Sequence, residues 1–349
     1  MAYTTINKPT EHFNTKLYTG NGSTQSITGV GFQPDFTWIK NRSGSYWHNL
    51  TDSVRGVTKV LYSAETSAET TTSNYLSSFN TDGFTVSTDS DVNGNGNSIV
   101  AWNWLGANGT ASNTDGSITS SVSANTTAGF SIVTYSGNST AGATVGHGLG
   151  ATPGMIIVKG RDAVINWQVY HQAIGNTSYL ELDTTDASTV SSARWNNTTP
   201  TSTVFTLGTQ TGVNAGFDYV AYCFAEKKGF SKFGSYTGNG STDGTFVYTG
   251  FKPAFVMIKR TSGTDQWILY DTKRETGNVM NLALTPDSSD AEQDTSSYNT
   301  VDIVSNGFKC RGGSSGSGTG TNQSGGSYIY MSFAEAPLVG SNGVTAKAR

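Results

Sequence analysis

Residues 13–40 read FNTKLYTGNGSTQSITGVGFQPDFTWIK, and the chain says nearly the same thing twice more. Residues 230–259 read FSKFGSYTGNGSTDGTFVYTGFKPAFVMIK. Between them, residues 130–159 carry a diverged copy, FSIVTYSGNSTAGATVGHGLGATPGMIIVK. In each copy a proline (Pro34, Pro153, Pro253) stands six residues before a lysine (Lys40, Lys159, Lys259), and a tryptophan (Trp47, Trp167, Trp267) follows the lysine at seven or eight. Each copy closes on a short aromatic run: IVAWNWLG from Ile99, YVAYCFAE from Tyr219, YIYMSFAE from Tyr328. A period of about 100–120 residues is too long for a solenoid repeat and suits a small domain. The spacing predicts three tandem modules over residues 13–105, 130–228 and 229–338. An N-terminal arm (1–12), a polar linker (106–129) and a C-terminal tail (339–349) complete the expected division.

Within one copy the pattern is that of short strands and tight turns. KLYTGNG alternates apolar and polar residues and ends in Asn21-Gly22, a strong hairpin signal. FTWIK reads as a core strand, and Asp82-Gly83-Phe84 as a turn feeding another. The stretch ETSAETTTSNYL, residues 65–76, is the one place that tempts a short helix, although its Thr and Ser content weighs against it. Trp102 and Trp104 fall in a single strand, and at most one of them is expected to face the core. Six to eight strands per copy at about ten-residue spacing predict an all-β chain of three tandem β-sandwich modules, jelly-roll or concanavalin-like. A second low-complexity stretch, residues 312–326, reads as a flexible Gly/Ser loop.

Composition narrows the function. With 42 Gly in 349 residues and only 13% charged, the chain is turn-rich and poor in helix formers. A net charge of −4 without any Lys/Arg cluster argues against nucleic-acid binding. No run is apolar enough to span a bilayer and the first residues show no secretory signal, so a product made in the cytoplasm is expected, without membrane insertion. Cys223 and Cys310 do not make a disulfide framework, and Cys223 reads as a small buried apolar residue.

Few residues could carry chemistry. His12, His48, His147 and His171 lack metal-ligand spacing, and no cofactor or metal is expected. Asp52 with Arg55, and Asp271 with Arg274, recur at equivalent places and read as ion-paired structural turns. Glu226 and Glu335 are likewise equivalent, and recurrence argues against a catalytic pair, which has no need to repeat. The acidic loops at Asp89, Asp91 and Asn93 and at Asp287 and Asp290 read as solvated turns rather than calcium sites. Trp47 and Trp267 are the candidate ligand-binding residues, as platforms for a sugar ring; the competing reading is core packing.

The succession YTGNGS, GFxPDFxWIK, W…DSxRG, FxxDGFTV and VAWNW resembles a repeated module of structural proteins from tailed bacteriophages, especially those of marine bacteria. Such modules are described as tail-fibre-like or concanavalin-like. The resemblance covers residues 13–336 and is weaker in the second copy, which lacks the Asp-x-x-Arg turn. It implies a non-enzymatic virion component assembled in the host cytoplasm, either a capsid decoration or a head/tail appendage, binding other virion proteins of capsid or tail. The alternative it implies is a lectin-like tail fibre or spike that recognises host surface glycans. Three similar modules could also surround a pseudo-threefold axis, and a homotrimer of chains is a further expectation.

Overall fold

The computed structural model describes residues 4–296, 300–311 and 320–339. The fold is all-β, built from antiparallel sheets. The first repeat contains β1 (Phe13–Thr19), β2 (Gln25–Thr28), β3 (Phe36–Asn41), β4 (His48–Asp52) and β5 (Lys59–Tyr62). It continues with β6 (Thr70–Thr71), β7 (Leu76–Asn80), β8 (Gly83–Val86), the single-turn helix α1 (Ser90–Asn93) and β9 (Ser98–Trp104). Then come β10 (Ala111–Asn113) and β11 (Ser120–Asn125). The second repeat has β12 (Phe130–Ser136), β13 (Thr144–Gly146), β14 (Pro153–Gly160), β15 (Gln168–His171), β16 (Ser178–Glu181) and β17 (Thr189–Val190). Its remainder is α2 (Ser192–Trp195), β18 (Val204–Thr206), α3 (Thr211–Asn214) and β19 (Asp218–Ala225). The third has β20 (Ser231–Thr237), β21 (Phe246–Tyr248), β22 (Phe251–Arg260), β23 (Trp267–Asp271) and β24 (Leu282–Ala283). It ends with β25 (Gln293–Asp294), β26 (Val301–Val304), β27 (Gly307–Cys310) and β28 (Ser327–Pro337).

One strand order recurs three times. The large sheets run β1-β9-β3-β4, β12-β19-β14-β15 and β20-β28-β22-β23, each with the closing strand second. A small sheet accompanies each: β2-β8-β7, β13-β18 and β21-β27-β26. The closing strands are apolar on both sides because both sides are covered. In β9, Ile99 and Ala101 join Ile27, Phe84 and Val86 of the small sheet in a local core. Val100, Trp102 and Trp104 face the other way, into a core shared by all three repeats. Both tryptophans are therefore buried, contrary to the expectation that only one would be. Residues two apart on a strand share a face, and the shared core makes that face a buried one.

At the centre of that core lie Trp104, Phe224 and Phe333, which pair with Phe36, Met155 and Phe255 at one register position of the three sheets. Their ring centroids are 6.3 Å (Trp104–Phe224), 5.6 Å (Trp104–Phe333) and 6.0 Å (Phe224–Phe333) apart. One ring from each repeat thus meets the other two at the centre of the shared core.

The Asn21-Gly22 motif is not a hairpin. β1 pairs with β9 while β2 pairs with β8, so the turn carries the chain from the large sheet to the small one. A buried asparagine holds it. Asn93 Oδ1 accepts from the Asn21 amide at 3.0 Å, and its Nδ2 donates to the carbonyls of Ser23 and Ser87. Asn214 and Asn322 do the same for the turns at Asn138 and Asn239. The tyrosine of each YxG donates to the carbonyl before that asparagine: Tyr18 to Val92, Tyr135 to Val213, Tyr236 to Thr321. A Cβ at Gly20 would come within 2.2 Å of the Gly94 carbonyl oxygen, which is why the motif requires glycine there. Asn93→Ala strands several buried polar groups and is expected to cost roughly 2–3 kcal/mol by urea denaturation. A loss no larger than that of an exposed Asn21→Ala control would refute this clamp.

Two further expectations change. Residues 106–129, read as a linker, supply β10 and β11, which extend the second large sheet beside β12. Alternating Ser120–Asn125 has one apolar side to cover, and the sheet edge covers it. Residues 65–76 hold β6 and no helix, in line with their Thr and Ser content. The helix forms at Ser90 instead, where the Asp89 side chain caps the Asp91 amide. The described part of the N-terminal arm, residues 4–12, packs on the fold, with Ile6 in the shared core. Of the expected Gly/Ser loop, residues 312–319 lie outside the described residues, as does the tail from residue 340.

Candidate functional site

The densest polar chemistry lies where the repeats meet. After β5, β16 and β24 the chain leaves its own sheet and lies against the next repeat, in the cyclic order first on second, second on third, third on first. The lysine of each PxxxxxK spacing receives this segment. Lys159 Nζ donates to Thr66 O at 2.8 Å and to Ile165 O at 2.6 Å. Lys259 donates to Thr185 O at 3.0 Å and Asp265 O at 2.7 Å. Lys40 donates to Ser289 O at 2.9 Å and to Tyr46 O. Burial lowers all three ammonium groups to about 8. Two residues on, Arg161 grips Glu69 through both carboxylate oxygens at 3.0 Å, and Arg42 grips Glu292 in the same way. At the remaining junction Thr261 O accepts from the Ser188 amide and hydroxyl.

The predicted turns complete these junctions. Arg55 Nε meets Asp52 Oδ2 at 2.5 Å with both side chains fully buried, and the pair reaches into the second repeat through the Tyr222 hydroxyl. Arg274 and Asp271 repeat the arrangement, and Trp102 Nε1 of the first repeat donates to Asp271 at 3.1 Å. The equivalent of Asp52 and Asp271 in the second repeat is His171, which pairs with Met155 as they pair with Phe36 and Phe255. On β28 the register place of Tyr222 and Trp102 is held by Met331, which offers no donor. His171 instead accepts the Ala173 amide at Nδ1, leaving Nε2–H for the Tyr330 carbonyl at 3.2 Å.

Burial lowers the His171 imidazole to about 4, opposed by the Tyr330 carbonyl. In the unfolded chain the ring takes its proton near pH 6.5, so its contribution to stability is complete above that pH and is lost as pH falls toward 4. His171→Gln is expected to flatten the decline of melting temperature between pH 6.5 and 4 relative to the unaltered chain. An unchanged slope in calorimetry would remove His171 from the acid response.

The other predicted residues are scattered. Trp267 is 1% exposed and its indole donates to Glu181 O across a junction, so it offers no face to a sugar. Trp167 does the same to Tyr62 O. In the first repeat His48 stands in that register place, opposite Lys40, and Trp47 lies one residue off it, half-buried. Glu226 pairs with Lys232 of β20 and Glu335 with Lys252 of β22, two separate ion pairs on the strands flanking β28. Asp287 is not a solvated turn: it accepts from the Trp267 amide, and burial raises it to about 7. Asp91 is likewise raised by burial, to about 6. His12, His48 and His147 stand apart from one another, and no cluster with metal-binding geometry occurs among the described residues.

One exposed feature had no signal in the repeat pattern. On β21, Val247 points into the local core while Phe246 and Tyr248 are 48% and 53% exposed. The register places Ser26 and Thr28 of the first repeat, and Thr144 and Gly146 of the second, where the third has these two rings. Beside them Asp243 binds Lys309 and Arg311 at the surface. Aligning the three copies strand by strand would have revealed the difference.

One strand order repeated three times around a shared core defines an all-β protein with internal repetition. Residues 8–337 match the family described as a domain of unknown function, DUF7483, and the chain belongs to that family. The matched span takes in all three repeats. No curated protein and no solved structure matches the chain.

Proposed function

We propose that this is a bacteriophage virion structural protein, a capsid-decorating or head/tail surface protein composed of three tandem β-sandwich modules. The observation that carries the reading is the closed ring: every repeat gives one polar junction and receives one, so the threefold pattern is completed within a single chain. Such a unit fits a threefold or quasi-sixfold position on a shell, or the axis of a trimeric appendage, without needing identical subunits. The polar groups most suited to chemistry are spent on joining the repeats, which favours a non-enzymatic role held by contacts with capsid or tail proteins. Cryo-electron microscopy of a particle containing the chain tests this. Density repeated over the capsid, or at the head–tail region, is the expected result; absence from the particle would sink the reading.

The second reading is a lectin-like fibre or spike that binds host glycans. Burial of Trp267 weakens its original basis, and the exposed pair Phe246 and Tyr248 supplies a better one.

A further inference from the structure

We infer that the outer face of β21 in the third repeat is a carbohydrate-binding platform, with Phe246 and Tyr248 stacking against the C–H face of a sugar and Asp243, Lys309 and Arg311 bonding its hydroxyls. The inference deepens the second reading above and rests on it, not on the virion assignment. The two rings occupy alternate positions of one strand, so they stand on one face with Cα atoms about 6.5–7 Å apart. Phe246 leans over the sheet, its Cε2 3.2 Å from where a Cβ at Gly307 would stand, a position that the Val247 carbonyl at 2.0 Å already closes to any side chain. The fold does not need these aromatics, because the same places hold Ser26 and Thr28, or Thr144 and Gly146, where the sheet is otherwise alike. Asp243 is 78% exposed while held by both cations, which presents fixed acceptors and donors beside the rings. Two side chains are too little for a stable protein interface, which buries about 800 Å² per partner, but suffice for one or two sugar units.

The test uses the full chain and a double variant, Phe246→Ser with Tyr248→Thr, which installs the residues of the first repeat. Saturation-transfer NMR with simple methyl glycosides, and an array of bacterial surface polysaccharides, provide the probes. Binding by the unaltered chain that falls more than tenfold in the double variant, at unchanged melting temperature, is expected, with Trp47→Ala still binding. No transfer to any probe, or binding kept by the double variant, overturns the inference. Loss of particle attachment by the double variant, without sugar binding by the parent, would also overturn it and assign the patch to a protein contact. The sugar-binding outcomes leave the chain's position in a particle untouched, so the virion reading is judged separately.

Discussion

Arg55→Ala is expected to cost the fold about 3–5 kcal/mol, because it leaves buried carboxylate without its cation. Arg55 binds Asp52 at 2.5 Å, Glu69 at 3.0 Å, the Leu50 carbonyl at 2.9 Å and the Tyr222 hydroxyl at 3.1 Å. Its side chain has no exposed surface, so water cannot take over these bonds. The loss acts at the junction of the first and second repeats and is expected to lower the urea midpoint of the whole chain. The double variant Asp52→Leu, Arg55→Met should recover much of the stability, since apolar side chains of similar size replace such pairs at little cost. Glu69 keeps Arg161 in that variant. If Arg55→Ala loses less than about 1 kcal/mol, the range of a surface pair, the junction does not depend on this network.

Trp104→Ala is the second large effect, roughly 3–5 kcal/mol for a buried tryptophan replaced by a methyl group. The ring contacts Phe13 and Phe36 of its own repeat, Phe130 and Phe224 of the second, and Phe255 and Phe333 of the third. A cavity here lies at the centre of the shared core. Hydrogen exchange should therefore accelerate in β9, β19 and β28 together. Phe84→Ala, confined to the local core of the first repeat, should loosen β8 and β9 and leave β19 and β28 protected. Equal confinement of both variants to the first repeat would mean the repeats are independent domains, as the tandem reading of the sequence supposes.

The strands were largely legible because their signal is local. FTWIK, IVAWNW and YVAYCF are apolar runs bounded by turn residues, and each forms a strand. The asparagine clamps were not legible. Asn93, Asn214 and Asn322 each stand four or five residues before a closing strand, yet only the fold brings them under turns about 72 to 83 residues away. The lysines announced themselves by their fixed distance from a proline, yet spacing says nothing of partners such as Ser289, 249 residues distant. Trp47 misled for a related reason. One residue of offset on a strand moves a side chain to the other face, so the first copy's equivalent of Trp267 is His48.

By itself the amino-acid sequence determined that the chain is all-β, that one pattern of strands and turns occurs three times, and that Asp52, Arg55, Asp271 and Arg274 form equivalent turns. These follow from alternation, turn chemistry and repetition, which act over a few residues. The tertiary structure decided that the repeats share one core, in what order they clasp each other, and which aromatic rings are left to solvent. Those outcomes depend on which face of each sheet meets a neighbour. A strand that is apolar on both faces does not say whether its second face is covered by its own repeat or by two others.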